Sequence, residues 1–340
     1  MCRDLYVHFP FCRGKCRYCA LHSRGGVTQS VRNAYVVRLA SELEGLFRDG
    51  LLAPCLSSVY FGGGTPALCD LSPMFAALRG HLGRDCEFTV ELHPLDVTGP
   101  LLSSLAEGGV NRISMGVQSL SDETLSSMGR GYSVAEAHRA FDMVAQRFSN
   151  AGIDLIVGYP DDIERTPPEA YSALREWGLS HCSVYAIQNE RALEGVASDD
   201  AVLDAIEEVS ATLGSFGLER YEISNYAVPG RECRHNLAVW RGADYFGLGE
   251  GACGRIGLRR TRNWASPSAE EEVVSEEFDR KERRLFSLRT KWGLDATGFP
   301  EWRPALGRNV EAGLLSCSGG KYRLTKRGRE VCDAVLMDLA

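Results

Sequence analysis

His8-Phe-Pro-Phe-Cys12-Arg-Gly-Lys-Cys16-Arg-Tyr-Cys19 puts three thiols into eight residues, at spacings of three and two, directly after a short apolar run. A disulfide would use two of them and leave one over. A structural zinc site wants four protein ligands, and no neighbouring His or Cys completes a familiar zinc spacing. A 4Fe–4S cube takes thiolates readily, and three ligands on one loop leave its fourth iron open to a substrate or cofactor. On that reading Gly14 lets the loop curl around the cube, while Arg13, Lys15 and Arg17 offset its charge. The other nine cysteines, Cys2, Cys55, Cys69, Cys86, Cys182, Cys233, Cys253, Cys317 and Cys332, are scattered, and their default reading is as small hydrophobes.

Outward from that loop, the first half of the chain alternates between two periods. Leu5–His8, Ser58–Phe61, Phe88–Leu92, Arg112–Val117, Ile153–Val157 and Cys182–Ile187 read as buried strands. Between them Val36, Leu39, Leu43 and Phe47 share one helix face, as do Ala137, Phe141, Val144 and Phe148. Strands recurring with intervening helices predict repeated βα units around a parallel sheet. Six units point to an incomplete barrel, and a doubly wound sheet is the alternative; in either case the active face lies where the strands end.

After Glu190 the pattern changes. Asp199–Phe216 reads as an amphipathic helix stopped at Gly217. Tyr221–Arg262 reads as functional loop and strand, and the acidic run Glu270–Glu277 as a solvated linker or helix start. From Glu282 the order is helix, helix, hairpin around Ser318–Gly320, strand Tyr322–Thr325 and a last helix through Met337, a small winged-helix-like module. The expected organisation is 1–195, 196–275 and 276–340.

Composition sets the class. Hydrophobic residues make up 44% of the 340 and charged residues 24%, so the chain can bury a core and is not largely disordered. A net charge of −7 argues against a general nucleic-acid or anionic-membrane binder. In the winged module six Lys/Arg face four Asp/Glu over residues 306–340, which favours a structural cap over DNA binding. No apolar run approaches the roughly 20 residues of a transmembrane segment, and MCRDLYVHFPFC lacks the features of a signal peptide. The expected location is the cytoplasm.

The cysteine triplet, with an aromatic before its last Cys, resembles the motif of radical S-adenosylmethionine (SAM) enzymes. The likeness continues through Tyr6-Val-His-Phe-Pro-Phe-Cys12, Tyr60-Phe-Gly-Gly-Gly-Thr65-Pro66, Arg112-Ile-Ser-Met-Gly-Val-Gln118, Asp154-Leu-Ile-Val-Gly-Tyr-Pro160, Tyr221-Glu-Ile-Ser-Asn-Tyr-Ala and Glu232-Cys-Arg-His-Asn236. These motifs are similar to those of the oxygen-independent coproporphyrinogen III oxidase family, and within it to the heme chaperone branch. The resemblance implies an incomplete (β/α)6 radical SAM barrel, with Cys12, Cys16 and Cys19 holding a 4Fe–4S cluster whose open iron binds SAM's methionine end. It further implies SAM contacts from Gly63, Gly64, Thr65, Glu91, Gln118, Arg130 and Asp154, with Tyr6 near the cluster. Each has a plainer reading: a tight turn for the glycine triplet, a surface carboxylate for Glu91, a solvated charge for Arg130. The glycines would let the backbone approach a ligand closely.

Two departures separate the branches. The decarboxylating oxidases carry a further cysteine soon after the triplet and a longer N-terminal extension, whereas here Cys19 is followed by Ala20-Leu21-His22 and eleven residues precede Cys12. The heme chaperone motif His-Asn-x-x-Tyr-Trp appears as His235-Asn236-Leu237-Ala238-Val239-Trp240, with Val239 in place of its Tyr. His235 is therefore a candidate heme contact, with a loop-bonded His as the alternative, and Cys233 is a candidate thiol partner. Arg255, Arg259, Arg260 and Arg262 are candidates for porphyrin propionates or a partner's acidic face, or a solvated loop. His93 reads either as a pH-sensitive contact or as a spacer. The expected function is heme binding and delivery to acceptor hemoproteins, with radical modification of coproporphyrinogen or another tetrapyrrole as the alternative and an inactive SAM-bound scaffold as a third reading.

Overall fold

The structure, a computed structural model, describes residues 1–187, 195–264 and 266–340; the change of pattern after Glu190 lies outside the described residues. Each of the six apolar runs forms a strand: β1 (Asp4–Phe9), β2 (Leu56–Gly63), β3 (Leu82–Leu92), β4 (Arg112–Gln118), β5 (Ala151–Val157) and β6 (His181–Ala186). All five neighbouring pairs in that series are parallel and follow chain order. The crossovers carry α1 (Gln29–Arg48), α2 (Ser72–Leu78), α3 (Gly99–Glu107), α4 (Asp122–Met128), α5 (Val134–Ala145), α6 (Asp162–Arg165) and α7 (Pro168–Ser172). Local chemistry sets their starts: Ser133 and Glu136 form a reciprocal capping box on α5.

Strand periodicity then sorts the side chains. Leu5, Val7, Phe9, Val59, Phe61, Phe88, Val90, Ile113, Met115, Ile153 and Leu155 pack with Val36, Leu39, Leu43, Phe141 and Val144 of the helices in the main core. The alternate positions are polar: Tyr6, Ser58, Tyr60, Glu87, Thr89, Glu91, Arg112, Ser114, Asp154, His181 and Ser183. One face of the sheet is therefore oil against helices, and the other is a buried polar surface.

The next elements extend the same sheet. After α8 (Asp199–Ser215), β7 (Glu219–Arg220) and β8 (Asn225–Ala227) run antiparallel beside β6, and beyond α9 (Arg234–Trp240) β9 (Phe246–Leu248) joins β1 in parallel. The order is β7-β8-β6-β5-β4-β3-β2-β1-β9, and among the described residues the two outer strands do not pair. The barrel is incomplete.

The acidic run is not a linker. Glu270–Val273 is β12, which with β10 (Cys253–Ile256) and β11 (Arg259–Arg262) makes an antiparallel sheet, and α10 (Glu276–Leu285) follows. Glu272 and Glu270 stand opposite Arg260 and Arg262, a cross-strand charge match. Two of the four arginines are drawn inward as well, while Arg259 and Arg262 are exposed. Arg255 is buried and donates to the carbonyls of Val239 (3.0 Å) and Ala243 (2.9 Å), while Arg260 pairs with Asp279 (2.8 Å) and Glu282 (2.6 Å).

The remaining chain forms β13 (Leu294–Asp295), α11 (Arg303–Glu311), β14 (Leu315–Ser318), β15 (Lys321–Leu324), α12 (Lys326–Glu330) and α13 (Cys332–Leu339), with strand order β13-β15-β14. The single last helix expected from the sequence is split at Val331. Leu285, Leu288, Leu294, Trp302, Leu306, Leu315, Val335 and Leu339 give this part its own core.

Candidate cofactor site

A cavity of about 600 Å³ opens where β1 to β6 end. Cys12, Cys16 and Cys19 all line it. Their loop leaves β1 and is pinched at its base, where the Cys12 N–H donates to the Arg24 carbonyl (3.0 Å) and the Arg24 N–H to that of Pro10 (2.9 Å). A turn from Cys16 to Cys19 orients the last thiol. A 4Fe–4S cube takes one thiolate per iron corner, and three thiols of one loop lining one cavity suit it.

Arg130 closes one side. It follows Gly129, the left-handed cap of α4, and its fork is shared between Cys16 Sγ (3.5 Å), the Tyr18 hydroxyl (3.2 Å), the Gly116 carbonyl (2.7 Å) and the Tyr132 hydroxyl (2.9 Å). A guanidinium beside the cluster thiols is placed both to offset their charge and to hold a carboxylate.

Gly63, Gly64 and Thr65 line the cavity, and the glycines of their turn also meet the demands of the plainer reading, a tight turn packed against the protein itself. A Cβ on Gly62 would meet Glu91, one on Gly63 (φ +108°) the His8 ring, and one on Gly64 the carbonyls of Phe11 and Phe9, at 2.5 and 2.8 Å. The glycines answer to the protein. Its amides are spent as well: Gly63 donates to Glu91 (3.0 Å), Gly64 to Phe9 (2.8 Å) and Thr65 to Phe11 (2.7 Å).

Glu91 and Asp154 form the acidic floor. The Tyr60 hydroxyl (2.9 Å) and Gly63 N–H hold the Glu91 carboxylate, and the Ser114 hydroxyl (3.0 Å) donates to Asp154. Burial, reinforced by Asp154, pushes the Glu91 pKa up to about 7, and burial raises that of Asp154. Gln118 lines the cavity with a left-handed backbone (φ 76°) at the register shift between β4 and β5, a costly conformation for a non-glycine residue.

The Radical SAM superfamily model matches residues 6–174. The heme chaperone HemW of Mycobacterium tuberculosis (strain ATCC 25618 / H37Rv) is 32% identical over 370 residues, covering 98% of this chain and 94% of that protein. The chain belongs to the HemW family of radical SAM proteins. HemW of Escherichia coli is 35% identical over 74% of this chain and 70% of its own length. Coproporphyrinogen III oxidase (HemN) from Escherichia coli shares the fold, with a TM-score of 0.82 over 99% of this chain and 89% of that one at 22% identity. Membership in the radical SAM superfamily implies a 4Fe–4S cluster and SAM, and the thiol wall and Arg130 fit both.

Two expected residues of the HemW reading stand apart from this cavity. Tyr6 does not line it; its hydroxyl is bonded to His8 Nδ1 (2.9 Å). His235 lies by the opposite ends of the strands, buried on α9, with Nδ1 2.8 Å from the Ser58 hydroxyl. Burial, together with Arg112, lowers its pKa to about 4, so the ring is neutral. Cys233 is fully buried and its thiol points at Glu87 (3.6 Å). His93 lines the cavity; its Nδ1 accepts the Leu95 N–H (3.2 Å), and burial with Arg130 and Arg13 presses its pKa to about 3. Missed in the sequence were Tyr185 and Ile156, which line the cavity, and Ser114 and Tyr132, which orient Asp154 and Arg130. The signal for Ile156 and Tyr185 was strand phase, each two residues beyond a polar inward position.

Proposed function

We propose that this HemW-family chain binds heme and delivers it to acceptor hemoproteins in the cytoplasm, with a SAM-coordinated 4Fe–4S cluster controlling the handover. Likeness to heme chaperones over nearly the full length of both chains carries this reading. Among the described residues no helix is long and apolar enough to cross a membrane. In this reading residues 1–195 are the radical SAM core, 196–275 the heme-associated segment and 276–340 the winged-helix-like part.

Cys12, Cys16 and Cys19 ligate the cluster, which when bound supplies a single electron to SAM. The rest is done by the protein. The carbonyls of the Gly63–Thr65 turn accept from SAM's ammonium, and Arg130 grips its carboxylate. Glu91, Gln118 and Asp154 take hydroxyl or amine donors as hydrogen-bond partners. His235, neutral and with Nδ1 occupied, keeps Nε2 as the nitrogen for heme iron.

The same floor and thiol wall are what radical modification of a tetrapyrrole requires, so decarboxylation of coproporphyrinogen is the second reading. Mass spectrometry decides between them. Reconstituted protein is incubated anaerobically with SAM, reductant and coproporphyrinogen III, and heme is titrated in parallel. Unchanged tetrapyrrole with a shifted Soret band supports heme delivery, and loss of propionate carboxyls makes the chain an oxidase. Neither heme binding nor turnover would leave the scaffold reading.

A further inference from the structure

The returning leg of the cysteine loop is held from a distant part of the chain. Arg24 Nη2 lies 2.5 Å from Glu250 Oε2, Arg38 of α1 lies 3.6 Å from Oε1, and His22 Nε2 lies 3.9 Å from Oε2. The Glu250 side chain is only 18% exposed. Its backbone N–H donates to the Tyr35 hydroxyl (3.0 Å), which donates to the His8 carbonyl (2.9 Å) at the end of β1. The turn that carries it is pressed into place. A Cβ on Gly249 (φ +102°) would sit 2.5 Å from the Tyr35 hydroxyl, and one on Gly251 2.9 Å from His22.

No cysteine ligand lies on this leg, whose backbone is tied to the end of β1 by the two hydrogen bonds at Arg24 and by the His22 carbonyl, 2.8 Å from His8 Nε2. Arg24 also lies over the Phe11 ring (5.6 Å) and Arg38 over Tyr35 (5.1 Å), which seats both half-exposed guanidiniums beside Glu250. Glu250 is the carboxylate between them. Without it two like charges would remain beside the loop, partly withdrawn from water.

We infer that Glu250 is a positioning residue of the iron–sulfur site: it fixes the returning leg of the cysteine loop and balances Arg24 and Arg38 beside it. The inference rests on the cluster reading above for its second half, and on the apoprotein alone for its first. A fixed leg fixes the arc between Cys12 and Cys19. A local negative charge disfavours the more reduced, more negative cluster and so lowers its potential.

Three readouts on the full chain test it. In the apoprotein, Glu250→Gln should speed amide exchange across residues 12–24 while strands β2 to β5 stay protected. In the reconstituted protein, chelator should bleach the cluster about 10-fold faster, the lower end of what outer partners of a metal site carry. The midpoint potential should rise in Glu250→Gln and fall in Arg24→Gln, although both variants lose the cluster faster. A merely structural role would not give shifts of opposite sign. Glu250→Asp, which keeps the charge, should restore the potential. Unchanged exchange and bleaching in Glu250→Gln would overturn the inference, as would equal losses that add in the double variant with Arg24→Gln. If Glu250→Gln fails to fold, Arg24→Gln reads the pair from the loop side by the same criteria. A wild-type chain that takes up no cluster would overturn the cofactor reading, and the exchange of residues 12–24 would still decide the role of Glu250.

Discussion

Glu91 on β3 and Asp154 on β5 face one cavity across Ser114 of β4, two half-buried carboxylates with a single hydroxyl between their strands. Burial and the Asp154 charge lift Glu91 from its ordinary 4.5 to about 7. The fold thus favours the protonated acid. Its contribution is complete below about pH 4.5 and is lost as the pH rises through 7. On this account, urea denaturation of the apoprotein should show stability falling over that window, by on the order of 3 kcal/mol from this group. Glu91→Gln should flatten that part of the profile. SAM, if its donors meet the carboxylate, should bind more tightly as the pH passes 7, and Glu91→Gln should lose that dependence. A wild-type pH slope that persists in the variant would separate Glu91 from the effect.

Arg130 bonds four protein partners and still lines the cavity, so its loss acts twice. Arg130→Gln strips the Tyr132 hydroxyl of its donor, leaves the Gly116 carbonyl with the Tyr132 hydroxyl alone, and removes the charge beside Cys16. A hydrogen bond to a charged group carries about 1.5–3 kcal/mol, which corresponds to a roughly 10- to 100-fold weaker SAM affinity by calorimetry on the reconstituted protein. Arg130→Lys should recover little of it, because an ammonium cannot span the four partners as the planar fork does. Recovery by Lys would show that charge alone matters.

The barrel was legible because its strands obey two rules at once. Leu5, Val7 and Phe9 alternate with Tyr6 and His8, and helices of the right length separate such runs, so six βα units follow from pattern alone. The thiol wall was equally legible, since its three ligands are adjacent in sequence. What escaped the sequence depends on register or on remote chain. Ser114 orients Asp154 only because β4 and β5 pair as they do, and Glu250 reaches the cysteine loop from beyond β9. The acidic run at Glu270 hid its strand because every residue but Val273 is charged, and cross-strand arginines rather than burial specify the pairing. His235 was visible as a residue but not as a place: α9 carries it to the strand beginnings, away from the cofactor loops.

There Ser58 fixes the state of His235. The serine hydroxyl has one hydrogen, donated to Asp4 Oδ1 at 2.6 Å, so the 2.8 Å contact to Nδ1 needs the imidazole as donor. The ring is therefore the Nδ1–H tautomer, with Nε2 bare. Nitrogen-15 NMR of histidine-labelled apoprotein should show it, and Ser58→Ala should shift the balance toward Nε2–H while costing about 1–3 kcal/mol for the groups left unpaired. Heme titration of the same variant tests the ligand reading, since the imidazole is still present. A weaker Soret shift in both Ser58→Ala and His235→Ala would assign iron to Nε2, and a loss in neither would place heme elsewhere.

The two glycines of the cofactor loops should respond oppositely to a methyl group. Gly64 runs so close to the chain leaving β1 that a Cβ would sit 2.5 Å from the Phe11 carbonyl and 2.8 Å from that of Phe9, both of which accept amides of the same turn. Backbone cannot rotate away as a side chain can, so Gly64→Ala must part the turn from β1 and should cost about 1–3 kcal/mol in apoprotein stability. Cluster content should fall with it, because Thr65 stands beside Cys12. Gly14, in the middle of the cysteine loop, has open space around its Cβ position and no left-handed φ, contrary to the expectation that it makes the loop curl. Gly14→Ala should leave apoprotein stability within about 0.5 kcal/mol of wild type. Thermal unfolding of the two variants side by side checks both halves, and a Gly14→Ala cost equal to that of Gly64→Ala would return the curl of the loop to Gly14.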